Sequence, residues 1–378
     1  MKTYKAYKFR LYPNEKQRIL IHKTFGCVRL VYNYYLAKQQ KEEIKKAFTN
    51  CNDLKYLQEE KTFLKEVDSC ALRCAIFNLE DANNNYLAKR SNYPVFKSKY
   101  AKQSYRTNCI TNTYKDKTYS NIEIDLINRK IKLPKLGLVD IRGYRNKKEI
   151  NGRIINATIT KETTGKYYVS VIVEEDVIPN KKVEATSIVG IDLGVKDLIT
   201  TSDGEKYDNE KYIIKYEKRL KELQRKLSRQ EKGSKNYYKA KKKIAILHAK
   251  IRNARKHHMI NVVNKIVKEH DIIVSEKLQV KKMTHDNNLA KYILDASFYM
   301  ICNLLEWKTK LLGKYYYQVD TYYPSSQICS RCEHKEPLIK DLSIRKYECT
   351  RCGLELDRDI NASINIMFEG LKLHYQSC

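Results

Sequence analysis

The stretch Ser187-Ile-Val-Gly-Ile-Asp192 does most to predict the fold of the C-terminal half of this 378-residue chain. Its run of apolar residues indicates a buried strand. A carboxylate at the end of a buried strand is costly unless it has a partner such as a metal ion. Asp192 is therefore a candidate residue of a functional site.

Two further carboxylates stand in comparable places. Glu276 ends the apolar run Ile272-Ile-Val-Ser275, and Asp359 opens a helix predicted over 360–366. Any one of these acids could instead be a helix cap or a salt-bridge partner. Together they match the needs of metal-assisted hydrolysis, in which one hard cation activates water and a second stabilises the leaving oxygen. Asp192, Glu276 and Asp359 are therefore the predicted catalytic residues and the predicted ligands of two magnesium ions.

Four of the eleven cysteines form two CxxC knuckles, Cys329-Ser-Arg-Cys332 and Cys349-Thr-Arg-Cys352. Each knuckle lets two thiolates bind one tetrahedral ion, and the sixteen residues between the knuckles suit a returning β-hairpin. Disulfides are disfavoured in a reducing cytosol, and a redox dithiol would not need two motifs. Gly353 follows where a tight turn needs a positive φ. We predict one structural zinc ion, because four thiolates leave no open position for catalysis.

The first third of the chain predicts a helical bundle that follows one opening strand. Residues 1–12 alternate apolar and basic side chains before Pro13. Asn14 is a plausible N-cap of a first helix, which the pattern interrupts at Gly26. Two more helices are predicted over about 53–65 and 70–88.

After residue 93 the pattern changes to short β-branched or aromatic segments. They predict an antiparallel β-domain of barrel type, to which the opening strand could also belong. Pro179-Asn-Lys-Lys182 is the predicted linker to the next domain. The segments lie near 104–113, 121–126, 129–133, 137–143, 153–161 and 165–175.

The net charge of +30 predicts a polyanionic partner, through neutralisation of phosphates and release of counterions. An AT-rich coding bias would also raise lysine, but it would not leave 44 acids so far behind 74 basic residues. A pair of helices predicted over 209–230 and 235–268 contains the densest charge. Residues 211–258 hold 18 Lys or Arg and three acids, which leaves too few partners for pairing along the helix.

This basic helical pair therefore predicts a phosphate-binding surface, although charge runs commonly form a solvated face. Polar residues between Arg73 and Asn85 interrupt the apolar stripe of the third predicted helix. They are a second candidate surface for nucleic-acid contacts, and an ordinary solvated face is again the alternative. The candidate nucleic-acid contacts are Arg73, Asn78, Lys97, Lys99, Arg106, Arg225, Lys226, Arg229, Lys241, Lys242, Lys243, Arg252 and Arg255.

Membrane and secretory functions are not expected. No run approaches the ~18–20 apolar residues that a membrane span needs, and the first residues lack the apolar core of a signal peptide. We therefore expect a cytoplasmic location. No helix-turn-helix stands out as a reader of DNA sequence.

Four stretches of the chain resemble the TnpB (OrfB) family, the RNA-guided nucleases of small insertion sequences that are related to type V CRISPR effectors. Weaker similarity is found at 25–33, 93–99 and 133–137. With these places included, the resemblance spans nearly the whole chain. The four stretches are Gly190-Ile-Asp-Leu-Gly-Val-Lys-Asp-Leu198, Ile273-Val-Ser-Glu-Lys-Leu278, Tyr323-Pro-Ser-Ser-Gln-Ile-Cys329 and Asp357-Arg-Asp-Ile-Asn-Ala-Ser-Ile-Asn-Ile366.

The resemblance implies an α+β multidomain protein with Asp192, Glu276 and Asp359 as the acids of an RNase H-like (RuvC) α/β nuclease domain. It also implies a guide RNA from the element and a double-stranded target DNA. Leu356 departs from the histidine common in the family, but it is not an acidic ligand. The implied layout is a wedge-type β-barrel at 1–13 and 104–182, a helical recognition insert at 14–103, the nuclease domain at 183–324 and 356–378, and a zinc ribbon at 325–355.

Two other functions remain open at this point. A transposase that performs strand transfer itself would use a similar acidic triad in an RNase H-like core. A nuclease-inactive, guide-dependent DNA-binding regulator would not need the complete triad. The zinc ribbon between the second and third acids and the β-domain upstream favour the RNA-guided endonuclease.

Overall fold

A computed structural model describes residues 2–42, 51–114, 117–144, 147, 149–176, 182–284, 287–336 and 344–377. The chain divides into two units, Met1–Ile178 and Pro179–Cys378. Residues 179–181 of the predicted linker lie outside the described residues. Within the described residues, no helix is both long and apolar enough to cross a membrane.

The helices of the first unit pack around a shared apolar core that includes Leu36 and Leu72. Asn14 caps the first helix as predicted: its Oδ1 accepts from the backbone N–H of Gln17 at 2.9 Å, and the Gln17 side chain accepts in return from the Asn14 N–H at 3.0 Å. Strand β1 (Lys2–Tyr12) precedes α1 (Glu15–Glu42), α2 (Cys51–Glu60), a 3-10 turn (Thr62–Glu66) and α3 (Ser69–Leu87).

The predicted interruption at Gly26 is wrong, because α1 runs through that residue without a break. A glycine costs a helix only about 1 kcal/mol relative to alanine. Its neighbours Phe25 and Cys27 are buried in the core, and this burial compensates for the glycine. Tertiary packing thus overrides the local helix propensity.

Seven strands of the first unit form one antiparallel sheet in the order β2-β8-β9-β1-β7-β6-β5, with β2 and β5 at its edges. The opening strand β1 lies between β7 and β9, so the helices interrupt this β-domain in sequence. The described strands of the first unit that follow β1, including β3 and β4, which are outside this sheet, are β2 (Gln103–Asn108), β3 (Thr111–Tyr114), β4 (Lys117–Ser120), β5 (Glu123–Asp125), β6 (Lys130–Leu133), β7 (Gly137–Arg142), β8 (Arg153–Lys161) and β9 (Tyr167–Asp176).

The single strand predicted over 104–113 is two strands, β2 and β3, and β3 pairs with the unpredicted β4 in a separate hairpin. The side chain of Asn121 explains the break. Its Oδ1 accepts from the N–H of Ile110 at 2.7 Å, and its Nδ2 donates to the carbonyl of Asn108 at 3.3 Å. Such side-chain bonds offer the backbone an alternative to a continuous ladder.

The second unit is built on a five-stranded sheet in the order β12-β11-β10-β13-β14. Strands β10, β13 and β14 are parallel, whereas β11 and β12 are antiparallel additions at one edge. Their bounds are β10 (Ile188–Asp192), β11 (Asp197–Thr201), β12 (Lys206–Asp208), β13 (Ile272–Glu276) and β14 (Tyr315–Val319).

Helices pack against this sheet, and the predicted basic helical pair is present in part. Its second member is α6, whereas the first, predicted as one helix over 209–230, is divided at Tyr216 into α4 and α5. The described helices of the unit are α4 (Tyr212–Lys215), α5 (Glu217–Ser228), α6 (Lys235–Glu269), α7 (Val280–Met283), α8 (Asn287–Ala296), α9 (Phe298–Leu312) and α10 (Arg358–Ser377). A small antiparallel hairpin, β15 (Lys346–Glu348) and β16 (Glu355–Asp357), leads into α10.

Two glycines let α10 lie directly on the sheet. A Cβ added at Gly190 on β10 would stand 2.0 Å from the carbonyl oxygen of Ser363 and 2.5 Å from the backbone nitrogen of Met367. A Cβ added at Gly370 on α10 would stand 2.2 Å from a methyl carbon of Val274 on β13. Helix α10 therefore crosses β10 at backbone contact and packs closely on the Val274 side chain of β13, which restricts the position of the helix on the sheet.

Candidate functional site

The three predicted acids come together at the carboxyl ends of the central strands. Asp192 ends β10 and Glu276 ends β13, and the parallel register that pairs Ile191 with Ser275 makes the two acids neighbours. Asp359 lies in the first turn of α10, the helix that packs across both strands. The sheet supplies two carboxylates and the helix supplies the third.

The electrostatics of the site show that these carboxylates interact. Burial raises the pKa of Asp192 well above its usual range, and the charges of Glu276 and Asp359 raise it further, while the guanidinium of Arg358 opposes them. Burial also raises the pKa of Glu276. Carboxylates that disfavour their own charged forms in this way are stabilised by a bound cation.

Asp357 caps α10 and is not available to the other acids. Its Oδ1 accepts from the backbone N–H groups of Asp359 at 3.0 Å and Ile360 at 3.2 Å. Its Oδ2 accepts from Lys206 Nζ at 2.7 Å. Burial raises the pKa of Asp357, but these hydrogen bonds outweigh it and the pKa is lowered. This arrangement makes Asp357 the N-cap of α10 and leaves Asp359 to face the other two acids.

No sequence pattern marks the residues that hold the loop beside Glu276. The hydroxyl of Ser325 donates to Glu276 Oε1, and Asn365 Nδ2 donates to the carbonyl of Ser325 at 2.8 Å. Asn361 Nδ2 donates to the carbonyl of Ile328 at 2.7 Å. All of them lie in stretches singled out at 323–329 and 357–366, but a polar residue in a loop or helix carries no signal of its partner before the fold is known.

The four cysteines of the two knuckles form a compact metal-binding cluster, as predicted. Their sulfur atoms all lie within 4.8 Å of one another, with 3.5 Å between Cys329 and Cys352 and 3.5 Å between Cys332 and Cys349. Four sulfurs at about 2.3 Å from a tetrahedral zinc ion would stand about 3.8 Å apart, so this cluster fits zinc. Gly353 has the predicted positive φ, at 70°.

The Cys349 thiol is already poised to ionise. Burial raises its pKa, but the backbone N–H groups of Cys352 and Arg351 and the neighbouring thiols outweigh this effect and lower the pKa to about 6. Among the described residues, the cysteine cluster is the one group of three or more potential ligands whose ligand atoms all fall within 4.8 Å. The three carboxylates do not form such a group at this distance.

The candidate nucleic-acid contacts fall into two groups. Arg73, Lys99, Arg225, Lys226, Arg229, Lys241, Lys242, Lys243 and Arg252 are exposed, as is Lys97, whose Nζ lies 3.5 Å from the centroid of the Tyr32 ring. Asn78, Arg106 and Arg255 are partly buried. Arg255 Nη1 lies 3.6 Å from Asp295 Oδ1 and donates to the carbonyl of Leu294 at 2.8 Å. Its guanidinium is therefore already engaged by residues of the same unit.

On α3, the polar face between residues 73 and 85 is not wholly available either. Asn83 is buried and donates to the side chain of Gln39 at 3.2 Å. Arg73 remains exposed and Asn78 is half-buried. The part of this face that another molecule could contact is therefore smaller than the sequence pattern suggests.

Three family models match parts of the chain. A model described as "Probable transposase" covers residues 168–287, a "Cas12f1-like, TNB domain" covers 298–366, and a "Helix-turn-helix domain" covers 1–46. In the described part of that last range, residues 2–42 form β1 and the single helix α1. The match therefore does not reveal a helix-turn-helix among these residues.

Two relatives match the chain along nearly its whole length, and a third matches about half of it. A "Putative RNA-guided DNA endonuclease" of Streptomyces pristinaespiralis is 32% identical over 97% of this chain and 89% of the relative. The similarly described InsQ of Escherichia coli K12 is 31% identical over 98% of this chain and 93% of the relative. A "TnpB-like protein" of Acanthamoeba polyphaga mimivirus is 30% identical over 51% of this chain and 35% of the relative.

One solved structure, of a "mini-RNA-guided endonuclease CRISPR-Cas_phi3", resembles the chain in fold. Its TM-score is 0.50 at 10% sequence identity, and the match covers 98% of this chain and 92% of the other. At that identity the likeness shows a common mixed α/β multidomain fold and nothing about individual residues.

Proposed function

Because the chain belongs to the TnpB (OrfB) family, we propose that it is an RNA-guided, divalent-metal-dependent endonuclease of an insertion sequence that cuts DNA beside a short flanking motif. Its full-length relatives are described as RNA-guided DNA endonucleases. The observation that carries the proposal for this chain is the meeting of Asp192, Glu276 and Asp359 at one end of the sheet.

The three carboxylates fit magnesium. They are oxygen ligands, they are partly buried, and their charges repel one another in the absence of a cation. Asp192, Glu276 and Asp359 would hold two ions, and the ions would supply activation of water and stabilisation of the leaving oxygen. The chain's own part is to hold the acids in place, through the close packing of α10 on β10 and β13 and through the Asp357 cap.

We also propose a role for each of the remaining regions. The β-domain at 1–13 and 104–182 is a wedge-type barrel, and the helices within 14–103 are its recognition insert. Residues 183–324 and 356–378 form the RuvC-like nuclease domain, and 325–355 form a zinc ribbon. The basic helices α5 and α6 bind phosphates of a guide RNA supplied by the element and of its double-stranded DNA target.

The proposed zinc ion is structural. Zinc would tie the two knuckles together, and binding energies of this kind, on the order of 10 kcal/mol, contribute directly to folding. We expect one tightly bound zinc per chain by metal analysis and its loss in Cys352→Ser, with an earlier thermal transition. Ser330→Ala, in the other knuckle and without a ligand atom, should keep the zinc. A folded wild-type chain that binds no zinc at these cysteines would contradict the assignment.

The function is tested with protein purified together with the RNA of its own element. We expect it to cut labelled duplex DNA in magnesium only when the duplex matches the guide, and a changed guide should redirect the cut. The description of one matching family model as a transposase favours direct strand transfer as the second candidate. Equal cutting by RNA-free protein, or joining of DNA ends without a guide, would support that candidate and contradict ours.

A further inference from the structure

We propose that Ser325 is a positioning residue that fixes the carboxylate of Glu276 for metal binding. Its hydroxyl donates a hydrogen bond to Glu276 Oε1, and the residue is only 4% exposed. Ser325 lies in the loop between β14 and the first zinc knuckle, outside the three acids of the site. The inference rests on the proposed function, because it concerns the geometry of the same metal centre.

The Ser325 hydroxyl leaves the second oxygen of Glu276 free. A serine has one O–H to donate, and here it goes to Oε1. A glutamate side chain loses rotamer entropy when it is ordered. If Ser325 orders Glu276 before a cation arrives, metal binding does not have to supply that ordering.

Ser325 is itself held by the helix that carries Asp359. Asn365 on α10 is 4% exposed, and its Nδ2 donates to the carbonyls of Ser325 at 2.8 Å and Ile328 at 2.6 Å. One path of hydrogen bonds thus runs from Glu276 through Ser325 to Asn365. It links the acid on β13 to the helix of the third acid.

A second asparagine, one helical turn earlier on α10, holds the residues that lead into the first zinc knuckle. Asn361 is fully buried, its Nδ2 donates to the carbonyl of Ile328 at 2.7 Å, and its Oδ1 accepts from the N–H of Ser330 at 3.0 Å. The segment from Ser325 to Ser330 is therefore held at several points by α10. A shift of Ser325 would require breaking buried hydrogen bonds, so its hydroxyl has a fixed direction.

Side chains that orient metal ligands without touching the metal typically contribute 10- to 100-fold to metal affinity or activity. We therefore expect Ser325→Ala to raise the magnesium concentration for half-maximal cleavage roughly 10- to 100-fold. Guide-RNA and target binding should stay at the wild-type level. Ser325→Thr keeps a hydroxyl and should restore at least part of the magnesium affinity.

The test uses the full chain with its RNA and measures two quantities. One is the dependence of cleavage on magnesium concentration. The other is manganese binding by electron paramagnetic resonance, in which the sites lost in Asp192→Ala identify the ions of the nuclease centre. Ser326→Ala is the matched control, because within the described residues the half-buried Ser326 side chain has no hydrogen-bond partner. We expect Ser325→Ala to weaken those manganese sites and Ser326→Ala to leave them unchanged.

Several outcomes would overturn the inference and leave the proposed function standing. One is Ser325→Ala with wild-type manganese sites and magnesium dependence, while Asp192→Ala is inactive. Another is a Ser325→Thr variant that is folded and as impaired as Ser325→Ala, since the hydroxyl would then not matter. Unfolding of Ser325→Ala would also overturn it, because the role would be structural. Absence of metal-dependent cutting by the wild-type chain would instead contradict the proposed function.

Discussion

Asp192 and Glu276 occupy positions in which a carboxylate is unfavourable for folding. Burial raises the pKa of both residues, and the neighbouring charges of Glu276 and Asp359 add to the effect at Asp192. The folded chain still holds the acids at these positions, because the packing of the strands and α10 does not depend on the charge of the carboxylates. The free-energy cost of burying the charged carboxylates therefore remains in the folded state. Carboxylates that are unfavourable in their charged form without a cation are the physical basis for proposing a metal centre here.

Replacing any one of Asp192, Glu276 or Asp359 with alanine should abolish cleavage and spare binding of RNA and DNA. Each acid is proposed to hold metal, whereas the basic surface lies on other elements. The measurement is cleavage of labelled duplex in magnesium beside a gel-shift assay. Asp357→Ala is the comparison, since loss of a helix cap costs about 0.5–2 kcal/mol and should reduce stability more than cleavage. Wild-type cutting by one of the three variants would remove that acid from the site.

At the scale of elements, the packing of α10 on the sheet depends on residues without side chains. We expect Gly190→Ala to lower the free energy of unfolding by at least about 1–3 kcal/mol, the usual cost of overpacking, and to reduce cleavage strongly. The added methyl group would clash with backbone atoms of Ser363 and Met367, and these atoms cannot move without a shift of α10. Denaturant unfolding and cleavage rates measure both effects.

Gly26→Ala is the matched control for Gly190→Ala. Gly26 lies inside α1, and a Cβ there would meet nothing within 4 Å. Alanine is the better helix former, so this substitution should be neutral or stabilising by up to about 1 kcal/mol. If both substitutions had the same effect on stability and cleavage, the close approach of α10 would not be what positions Asp359.

Asp271, just before β13, should make stability depend on acid pH. Burial alone would raise its pKa, but hydrogen bonds from Thr186 and Lys314 lower the pKa to about 2. Because the folded pKa is depressed, the contribution is complete above the unfolded value of about 4 and disappears as the pH falls through about 2. It amounts to about 2 kcal/mol at neutral pH.

The difference in unfolding free energy between wild type and Asp271→Asn measures this contribution. It should be largest at neutral pH and shrink between about pH 4 and pH 2. Asp203→Asn is a suitable comparison, since Asp203 is half exposed, at 52% of its side chain. A difference for Asp271→Asn that does not change with pH would contradict the assignment of its partners.

The sequence alone predicted the strands that end in Asp192 and Glu276, the helix that begins at Asp359 and the zinc knuckles, because each is marked by a local pattern. It failed where a tertiary contact decides the outcome. Packing of Phe25 and Cys27 carries α1 through Gly26, and the Asn121 side chain divides β2 from β3. The roles of Ser325 and Asn365 were missed for the same reason, since hydrogen-bond partners 49 and 40 residues away leave no periodic trace.

At the scale of the whole molecule, the charge of +30 is distributed unevenly. Residues 211–258 contain 18 basic residues and three acids, and they lie on α4, α5 and α6. The predicted contacts on α5 and on the first turns of α6 are exposed to solvent. Phosphate binding by these residues would release counterions, so the affinity for RNA and DNA should depend steeply on salt.

Replacing Lys241, Lys242 and Lys243 together with glutamine should weaken RNA binding and lower its salt dependence. Each lost phosphate contact reduces the slope of log affinity against log salt by about 0.7 for single strands and about 0.9 for duplexes. Binding is measured across a range of potassium chloride. The control replaces the exposed Lys16, Lys55 and Lys65 of the first unit, which changes the net charge equally. Equal slopes for the two triple variants would show that only total charge matters.

The order of the three acids along the chain has a consequence for synthesis. Asp192 and Glu276 are translated first, and the cysteines of the ribbon and the helix that brings Asp359 follow. At typical rates of about 5–20 residues per second, Asp359 follows Glu276 by roughly 4 to 17 s. A nascent chain therefore already carries most of the basic surface while it still lacks a complete set of acids. If the three acids act together as proposed, an unfinished chain cannot cut DNA until the helix that carries Asp359 has been made.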